Sequence, residues 1–317
     1  MEKPTFTLEQ ILNMELPPLI IYAAPFMISC VFLEYYLRNR EQMEHYDKKD
    51  AFAGALVGIG NLISTALLKT ITFGTILVVY NMVPWYVPIN WWTSILCLLA
   101  LDFCSYWAHR ISHVQRFWWS THVTHHSSEQ YNFTVAFRLS WIQHLKIIFF
   151  LPTAFAGFHP VVFFICHQIE VLYQFWLHTE LIKKMPKPIE YFFVTPSHHR
   201  VHHGKNDKYL DKNFGAIFII WDRLFGTFEQ EVETPNYGIL KPVGSYNPVY
   251  LVFHEALDIL RDMKQYPSLK AWWLILFGSP SLTLDKSAYA NAMGKRWQAR
   301  QRRKEALGVK AAGEVSV

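Results

Sequence analysis

The sequence predicts an all-α integral membrane protein, with about four to six transmembrane helices and a cytosolic helical cap that carries a set of histidine motifs. Three observations predict it. Of 317 residues, 51% are apolar and only 17% charged, with 12 Trp, 16 Tyr and 24 Phe. The mean hydropathy of +0.09 suits a membrane protein with sizeable polar loops rather than a soluble domain. The apolar residues gather into long runs, and the histidines crowd into the polar stretches between them.

Taken in order, apolar runs fall at about 17–37, 52–79, 91–107, 142–157 and 160–177. The first three are long enough, at about 1.5 Å per helical residue, to cross roughly 30 Å of hydrocarbon. The last two are shorter, and the breaker Gly157-Phe158-His159-Pro160 between them predicts a tight hairpin. Arg38, Arg40, Lys48 and Lys49 follow the first run, and Arg110, Arg116 and Arg138 follow the third. The uncharged, aromatic loop 80–92 lies between. Positive residues favour the cytoplasmic face and aromatic residues the interface, so both histidine-rich stretches are expected on the cytoplasmic side. This count needs one crossing between 50 and 80, where Gly58, Gly60 and Lys69 leave room for a bent or re-entrant segment.

Residues 108–141 and 179–248 are polar enough for a cytosolic layer. Beyond them Val252, Phe253, Ala256, Leu257, Leu260 and Met263 recur at helical spacing, which predicts an amphipathic helix lying on the membrane or on the body. The chain reads as one membrane-embedded unit over 1–317, with 101–230 as its histidine-bearing region and 290–317 as a basic tail. Most of the net charge of +5 comes from Lys295, Arg296, Arg300, Arg302, Arg303 and Lys304. A terminal run beside an apolar chain points to anionic lipid and excludes nucleic acid, which needs basic residues spread over a binding face. Cys30, Cys97, Cys104 and Cys166 sit singly in apolar stretches and predict buried thiols rather than a cluster or disulfide framework. The N-terminus lacks a basic segment before its apolar run and is expected to be retained.

The histidines carry the chemistry. His109 and His113 form HxxxH; His122, His125 and His126 form HxxHH; His199, His202 and His203 form HxxHH again. Random placement of 15 histidines in this length gives HxxHH roughly 0.03 times, so two occurrences beside an HxxxH are not chance. Positions i, i+3 and i+4 share a helix face, so each motif is expected to aim its imidazoles at one point. A lone histidine on an apolar face is usually a hydrogen-bonded core residue; eight in register are not. Imidazole suits Zn, Cu, Fe and Ni alike. The number of rings exceeds the four ligands of one structural zinc and is enough for two metals with positions left open. Such a pair beside a membrane points to oxygen activation on lipid, although zinc hydrolysis or metal transport uses similar ligands.

The strings YWAHRISH, THHSSEQYN, LYQFWLHTE, TPSHHRVHHGKN and DKNFGAIFIIWDRLFGTFE run from Leu101 to Gln230. They resemble the fatty acid hydroxylase and sterol desaturase superfamily, and within it the alkylglycerol monooxygenase branch. The resemblance implies an O2-dependent oxidoreductase with a non-haem centre of two Fe, held by His109, His113, His122, His125, His126, His199, His202 and His203. It implies His178 as a ninth ligand. It further implies hydroxylation of the ether-linked carbon of an alkylglycerol, with collapse to an aldehyde, and tetrahydrobiopterin or another external electron donor. The position after the second histidine of the first motif departs from the animal pattern, which is acidic there; here it is Val114. Fatty acid or sterol hydroxylation or desaturation is the alternative within the superfamily. A histidine-lined metal transporter or haem carrier is the alternative outside it.

Around these ligands, Asp102 lies two helical turns before His109 and is expected to accept an imidazole N–H; Glu129 and Glu180, each close after a histidine, have the same expected role. His198 reads as a neighbour of the site. His45, His144, His159, His167 and His254 read as structural, with His167 placed to line a lipid cavity. Asp211, Asn213, Trp221, Asp222 and Gly226 read as a capped turn and a Gly-terminated helix. Tyr173, Gln174 and Trp176 read as core or channel wall. With no GxGxxG, CxxC or CxxCH in the chain, electrons must come from an external reductant or redox partner. The expected setting is an endoplasmic-reticulum or bacterial inner membrane, with the lipid substrate entering from the bilayer.

Overall fold

A computed structural model describes residues 3–13, 17–41 and 46–283; His45 and the basic residues from Lys295 to Lys304 lie outside them. The chain folds as α1 (Leu8–Asn13), α2 (Leu19–Arg40), α3 (Lys48–Met82), α4 (Trp91–Val114), α5 (Arg116–Trp119) and α6 (Val123–His126). Two 3-10 segments, Phe133–Phe137 and Gln143–Phe150, lead into α7 (Leu151–Phe155), then α8 (Pro160–Phe175), α9 (Lys187–Phe192) and α10 (Pro196–His203). The described chain closes with α11 (Ile220–Phe225), α12 (Pro248–Gln265) and α13 (Leu269–Phe277). Only two isolated β-bridges occur among the described residues, so the fold is helical as expected.

Two of these helices, α2 and α3, are long and apolar enough to cross a membrane. Almost none of α2 is buried within the fold: Ile21, Tyr22, Phe26 and Phe32 are each about 70% exposed, which water would penalise and lipid would not. The run at 142–157 does not form a transmembrane α-helix. It splits into a 3-10 segment and the five-residue α7, because Pro152 starts a new helix where an α-helix would need its N–H. The hairpin at 157–160 is present: Gly157 turns at φ +89, and its carbonyl accepts from Val87 N at 2.8 Å. This pins the far ends of α7 and α8 to the aromatic loop, opposite the histidines.

Helix α3 is continuous, and its glycines have another use than bending. A Cβ at Gly58 would meet the Phe137 carbonyl at 3.0 Å, and one at Gly60 would overlap the Trp141 ring. The glycines let the 3-10 layer of 133–150 lie directly on α3. Buried polar clamps fix the same layer. Glu34 of α2 accepts from Tyr46 Oη at 2.5 Å, Phe133 N at 2.8 Å and Thr179 Oγ1 at 2.5 Å. Asp50 of α3 pairs with Arg138 at 2.5 Å and accepts from Ser128 at 2.7 Å. Arg38 pairs with Glu180 at 3.0 Å, and Arg116 with Glu255 and Asp262, both at 2.6 Å. Three arginines that sequence reasoning counted as topological signals are therefore buried structural cations.

The amphipathic helix α12 buries Leu251, Val252 and Ile259 against α3 and α13. Leu257 and Leu260 stay on its exposed side. All four cysteines are free thiols.

Candidate metal centre

Four elements deliver nine imidazoles. The C-terminal turn of α4 carries His109 and His113. His122 is the N-cap of α6, which holds His125 and His126, and His178 follows α8 by three residues. Helix α10 carries His199, His202 and His203; it starts with Thr195 as N-cap, Pro196 at its first position and a reciprocal bond between Thr195 and His198.

The nine side chains form two groups. His109, His113, His122, His126 and His202 make one; His125, His178, His199 and His203 make the other. Within each, the candidate ligand atoms all lie within 4.8 Å of one another. Each HxxHH motif is therefore divided rather than aimed at one point, a correction to the single-claw expectation. Adjacent histidines diverge by about 100° around a helix, whereas i and i+4 stay together: His122 and His126 enter the first group, His199 and His203 the second, while His125 and His202 cross over. The groups touch where the rings of His126 and His203 stack at 4.3 Å.

The Nε2 atoms converge. His109 to His122 is 2.8 Å, His122 to His126 3.2 Å and His126 to His202 3.2 Å. In the second group, His125 to His178 is 3.2 Å, His178 to His199 3.0 Å and His125 to His203 3.1 Å. The Nδ1 of His109 donates to Phe214 O at 2.8 Å, that of His178 to Gln174 O at 2.9 Å and that of His202 to Lys212 O at 2.9 Å. Those three rings therefore present bare Nε2 lone pairs to their neighbours. His113 Nε2 is buried without a hydrogen-bond partner. Nitrogens about 2.1 Å from a shared cation sit roughly 3 Å apart, so the observed separations fit one metal ion in each group.

Burial, then neighbouring imidazoles, holds His125, His126, His199, His202 and His203 well below the ordinary imidazole pKa. Burial lowers His178 to about 4. For His122 burial comes first and the Lys146 ammonium second. These rings are neutral at pH 7, the state a metal requires.

The second layer differs from expectation. Asp102 touches no imidazole: its carboxylate accepts from Ile217 N at 2.7 Å, Phe218 N at 3.3 Å and Trp221 Nε1 at 2.7 Å. Seven residues of rise along α4 set Asp102 about 10 Å from His109, beyond the reach of a short side chain, and the neighbouring 217–221 segment is closer. Glu129 is exposed. Glu180 binds Arg38 and the Tyr237 hydroxyl, each at 3.0 Å, instead of a histidine. His198 joins Glu190 at 3.0 Å, beside the site as expected.

The acceptors that orient the imidazoles are mostly backbone, and sequence reasoning missed them. Two of them, Lys212 O and Phe214 O, come from the turn 211–214, where Asp211 and Asn213 adopt φ of 57 and 55, and the third, Gln174 O, from the end of α8. Asp211 also lies 3.5 Å from His113 Nδ1. Asn213 bonds His198 O and Glu229 O, while Asp222 accepts from Phe214 N at 2.7 Å and Gly215 N at 2.8 Å. The DKN string was the available signal, because Asp and Asn tolerate left-handed backbone. Gly226 ends α11 at φ 73, as its position after DRLF suggested.

Other histidines have ordinary partners: His144 meets Ser64 and Thr65, and His159 caps α8. His167 packs between Phe150 and Phe163. Val114 is 41% exposed at the end of α4. A cleft of about 500 Å³ reaches His113, His126, His202 and His203 from the side of α12, past Trp119 and Lys241.

Helical frame and paired histidine groups define a class of helical proteins with two compact imidazole clusters, each able to hold a metal ion, beside apolar helices. Residues 94–227 match the fatty acid hydroxylase family. The chain is 34% identical to the human alkylglycerol monooxygenase over 287 residues, 88% of this chain and 63% of the relative. It is 41% identical to the Xenopus tropicalis alkylglycerol monooxygenase over 198 residues, 62% of this chain and 43% of the relative. An ornithine lipid hydroxylase, OlsE, of Rhizobium tropici is 29% identical over 136 residues, 42% of this chain and 41% of the relative. The chain spans less than two thirds of the length of these relatives. No solved structure matches it.

Proposed function

We propose that this protein is a membrane non-haem di-iron monooxygenase that uses O2 to hydroxylate the ether-linked carbon of an alkylglycerol. The single observation that carries the reading is the division of nine imidazoles, seven of them buried and His109 and His122 half-buried, into groups of five and four, each compact enough for one ion. The alkylglycerol monooxygenases among its relatives supply the substrate class. His109, His113, His122, His126 and His202 would hold one iron, and His125, His178, His199 and His203 the other. When bound, the pair supplies O2 activation and the oxidising power that an unactivated C–H bond demands.

The chain's own residues do the rest. Carbonyls of Phe214, Gln174 and Lys212 fix three rings with Nε2 inward. Trp119, Tyr131 and Phe214 pack on the imidazoles and exclude water. The balance is one C–H bond, O2, two electrons and two protons giving C–OH and water; the electrons come from an external donor, tetrahydrobiopterin or a redox partner. The hydroxylated ether carbon is a hemiacetal, which breaks to a fatty aldehyde and glycerol.

The histidine side is read as cytoplasmic, with α4, α7 and α8 completing the membrane body begun by α2 and α3, in an endoplasmic-reticulum or bacterial inner membrane. The test is metal content together with O2-dependent aldehyde release from an alkylglycerol, with and without tetrahydrobiopterin. Iron near two per chain and label from heavy O2 in the product support the reading. A purified protein holding zinc, with no oxygen-dependent product, defeats it.

A further inference from the structure

His254 of α12 reads in the sequence as a structural histidine, yet only half of its ring is used. Its Nδ1 donates to Leu251 O at 3.0 Å, one turn back along the helix. With that proton placed, Nε2 of the neutral ring carries a bare lone pair. The residue is only 7% exposed, and its Nε2 is buried without a hydrogen-bond partner among the described residues. Buried acceptors are seldom left unpaired without a reason.

Two observations place this ring beside the histidine groups. Leu251 O also accepts from Thr124 Oγ1 at 3.0 Å. One carbonyl thus ties His254 to α6 at the residue just before His125 and His126. Moreover, His254 lines the cleft of about 500 Å³ whose wall includes His113, His126 and His202 of the first group and His203 of the second. Since Nδ1 is turned to its own helix, Nε2 is the polar atom that His254 has left to offer a ligand there.

The rest of the wall narrows the ligand's chemistry. Arg116 is taken by Glu255 and Asp262, and Arg261 by Asp258. All five line the cleft, whose lysine and arginine cations equal its carboxylates in number. Ile239, Pro242 and Val243 add apolar surface. A lone imidazole acceptor in such a wall takes a hydroxyl or N–H donor and repels an anionic oxygen. In the hydroxylation of an alkylglycerol the reacting carbon is bonded to the head group's own oxygen. The glycerol must therefore sit in polar space that opens onto the histidines, and this cleft does.

We propose that the cleft is the head-group site for a neutral polyol ether, and that His254 Nε2 accepts a hydrogen bond from a free hydroxyl of the glycerol. The inference rests on the monooxygenase reading for the identity of the ligand as substrate. His254 then sets specificity, because a buried acceptor left unpaired disfavours the same head without its donors.

The experiment uses the full chain, iron-loaded, in lipid nanodiscs, with hexadecylglycerol and hexadecyl propyl ether as probes; the second has the same three-carbon head without hydroxyls. Equilibrium binding of each probe, KM for lipid and for tetrahydrobiopterin, and iron content are measured for wild type, His254→Asn and His254→Gln. Asparagine places its amide where Nδ1 was, keeping a donor for Leu251 O and giving up the acceptor at Nε2. Glutamine, one carbon longer, puts an acceptor back near Nε2 and gives up the Leu251 bond. His254→Asn should raise Kd and KM for hexadecylglycerol about three- to tenfold and change those for the propyl ether less than about twofold. His254→Gln should recover most of the loss, with iron content held in both. A purely structural histidine gives the reverse ranking, asparagine above glutamine, and that result overturns the proposal. So does an unchanged Kd for hexadecylglycerol, an equal weakening of both probes, or a rise in KM for tetrahydrobiopterin alone, which would put the reductant in the cleft. Where His254→Asn does not fold, His254→Leu set against His254→Gln makes the same comparison. If the wild type turns over neither probe, the monooxygenase reading falls, while the binding comparison still decides whether His254 holds the hydroxyl.

Discussion

The Nδ1 of His109 lies 2.8 Å from the carbonyl oxygen of Phe214, joining the end of α4 to a turn 105 residues further along. That turn is held by Asp222, which takes Phe214 N, Gly215 N and the Thr227 hydroxyl at 2.7, 2.8 and 2.6 Å. A carboxylate remote from the imidazoles thus governs their orientation through the backbone.

Replacing Asp222 with Ala strands three buried donors, each costing about 1–3 kcal/mol before relaxation. The variant should unfold at clearly lower temperature and bind metal about 10–100-fold more weakly. Asp222→Asn keeps one acceptor oxygen and should fall between. Thermal unfolding and metal titration check this; an Asp222→Ala protein with wild-type affinity would show that the turn does not position His109.

Removing His178 should affect only one ion. It belongs to the four-membered group and contacts both His125 and His199. In His178→Ala three nitrogens remain there, while the five-membered group is intact, so metal content should drop from two toward one per chain. His113→Ala, which leaves four nitrogens in its own group, should retain nearly two. Elemental analysis after gel filtration distinguishes the pair, and equal losses would contradict the division into five and four.

Much of this site was legible in the spacing of the histidines, because i and i+4 on a helix share a face whatever the tertiary fold. Which histidine of each adjacent pair served which group was not legible, since that depends on how α6 and α10 pack together. The orienting carbonyls of Lys212 and Phe214 were hidden for a different reason: a backbone oxygen has no sequence identity, and only the left-handed Asp211 and Asn213 hinted at it. Asp102 misled, because its distance from His109 was counted along one helix while its partners came from 217–221. The long apolar helices were plain in the sequence, but Gly58 and Gly60 suggested a bend where they supply clearance for Phe137 and Trp141.

That clearance yields a test of packing. A Cβ at Gly60 would overlap the Trp141 ring, whose Nε1 donates to Val57 O at 2.9 Å. Gly60→Ala should destabilise by about 1–3 kcal/mol through overpacking, despite alanine's better helix propensity. Adding Trp141→Ala, itself destabilising, should remove most of that penalty, so the double variant should be less impaired than the two losses added together. Strict additivity in thermal unfolding would mean that the two positions do not meet.

The neutral imidazoles give the metal-free protein a direct pH signature. His122, His125, His126, His178, His199, His202 and His203 all have folded pKa values below the unfolded imidazole value, with burial the largest cause in each. Below about pH 6.5 the unfolded chain takes up protons on these rings and the folded chain does not. Folding stability is therefore full above that pH and lost as pH falls through it, with a slope reporting more than one proton. Bound metal competes with those protons and should move the loss to lower pH. Thermal unfolding of the chelator-treated and metal-loaded protein at pH 7.5, 6.5 and 5.5, conditions chosen to bracket the ordinary imidazole range, measures both effects. A metal-free protein whose unfolding temperature is flat from 7.5 to 5.5 would mean that the nine rings are not held together without the ions.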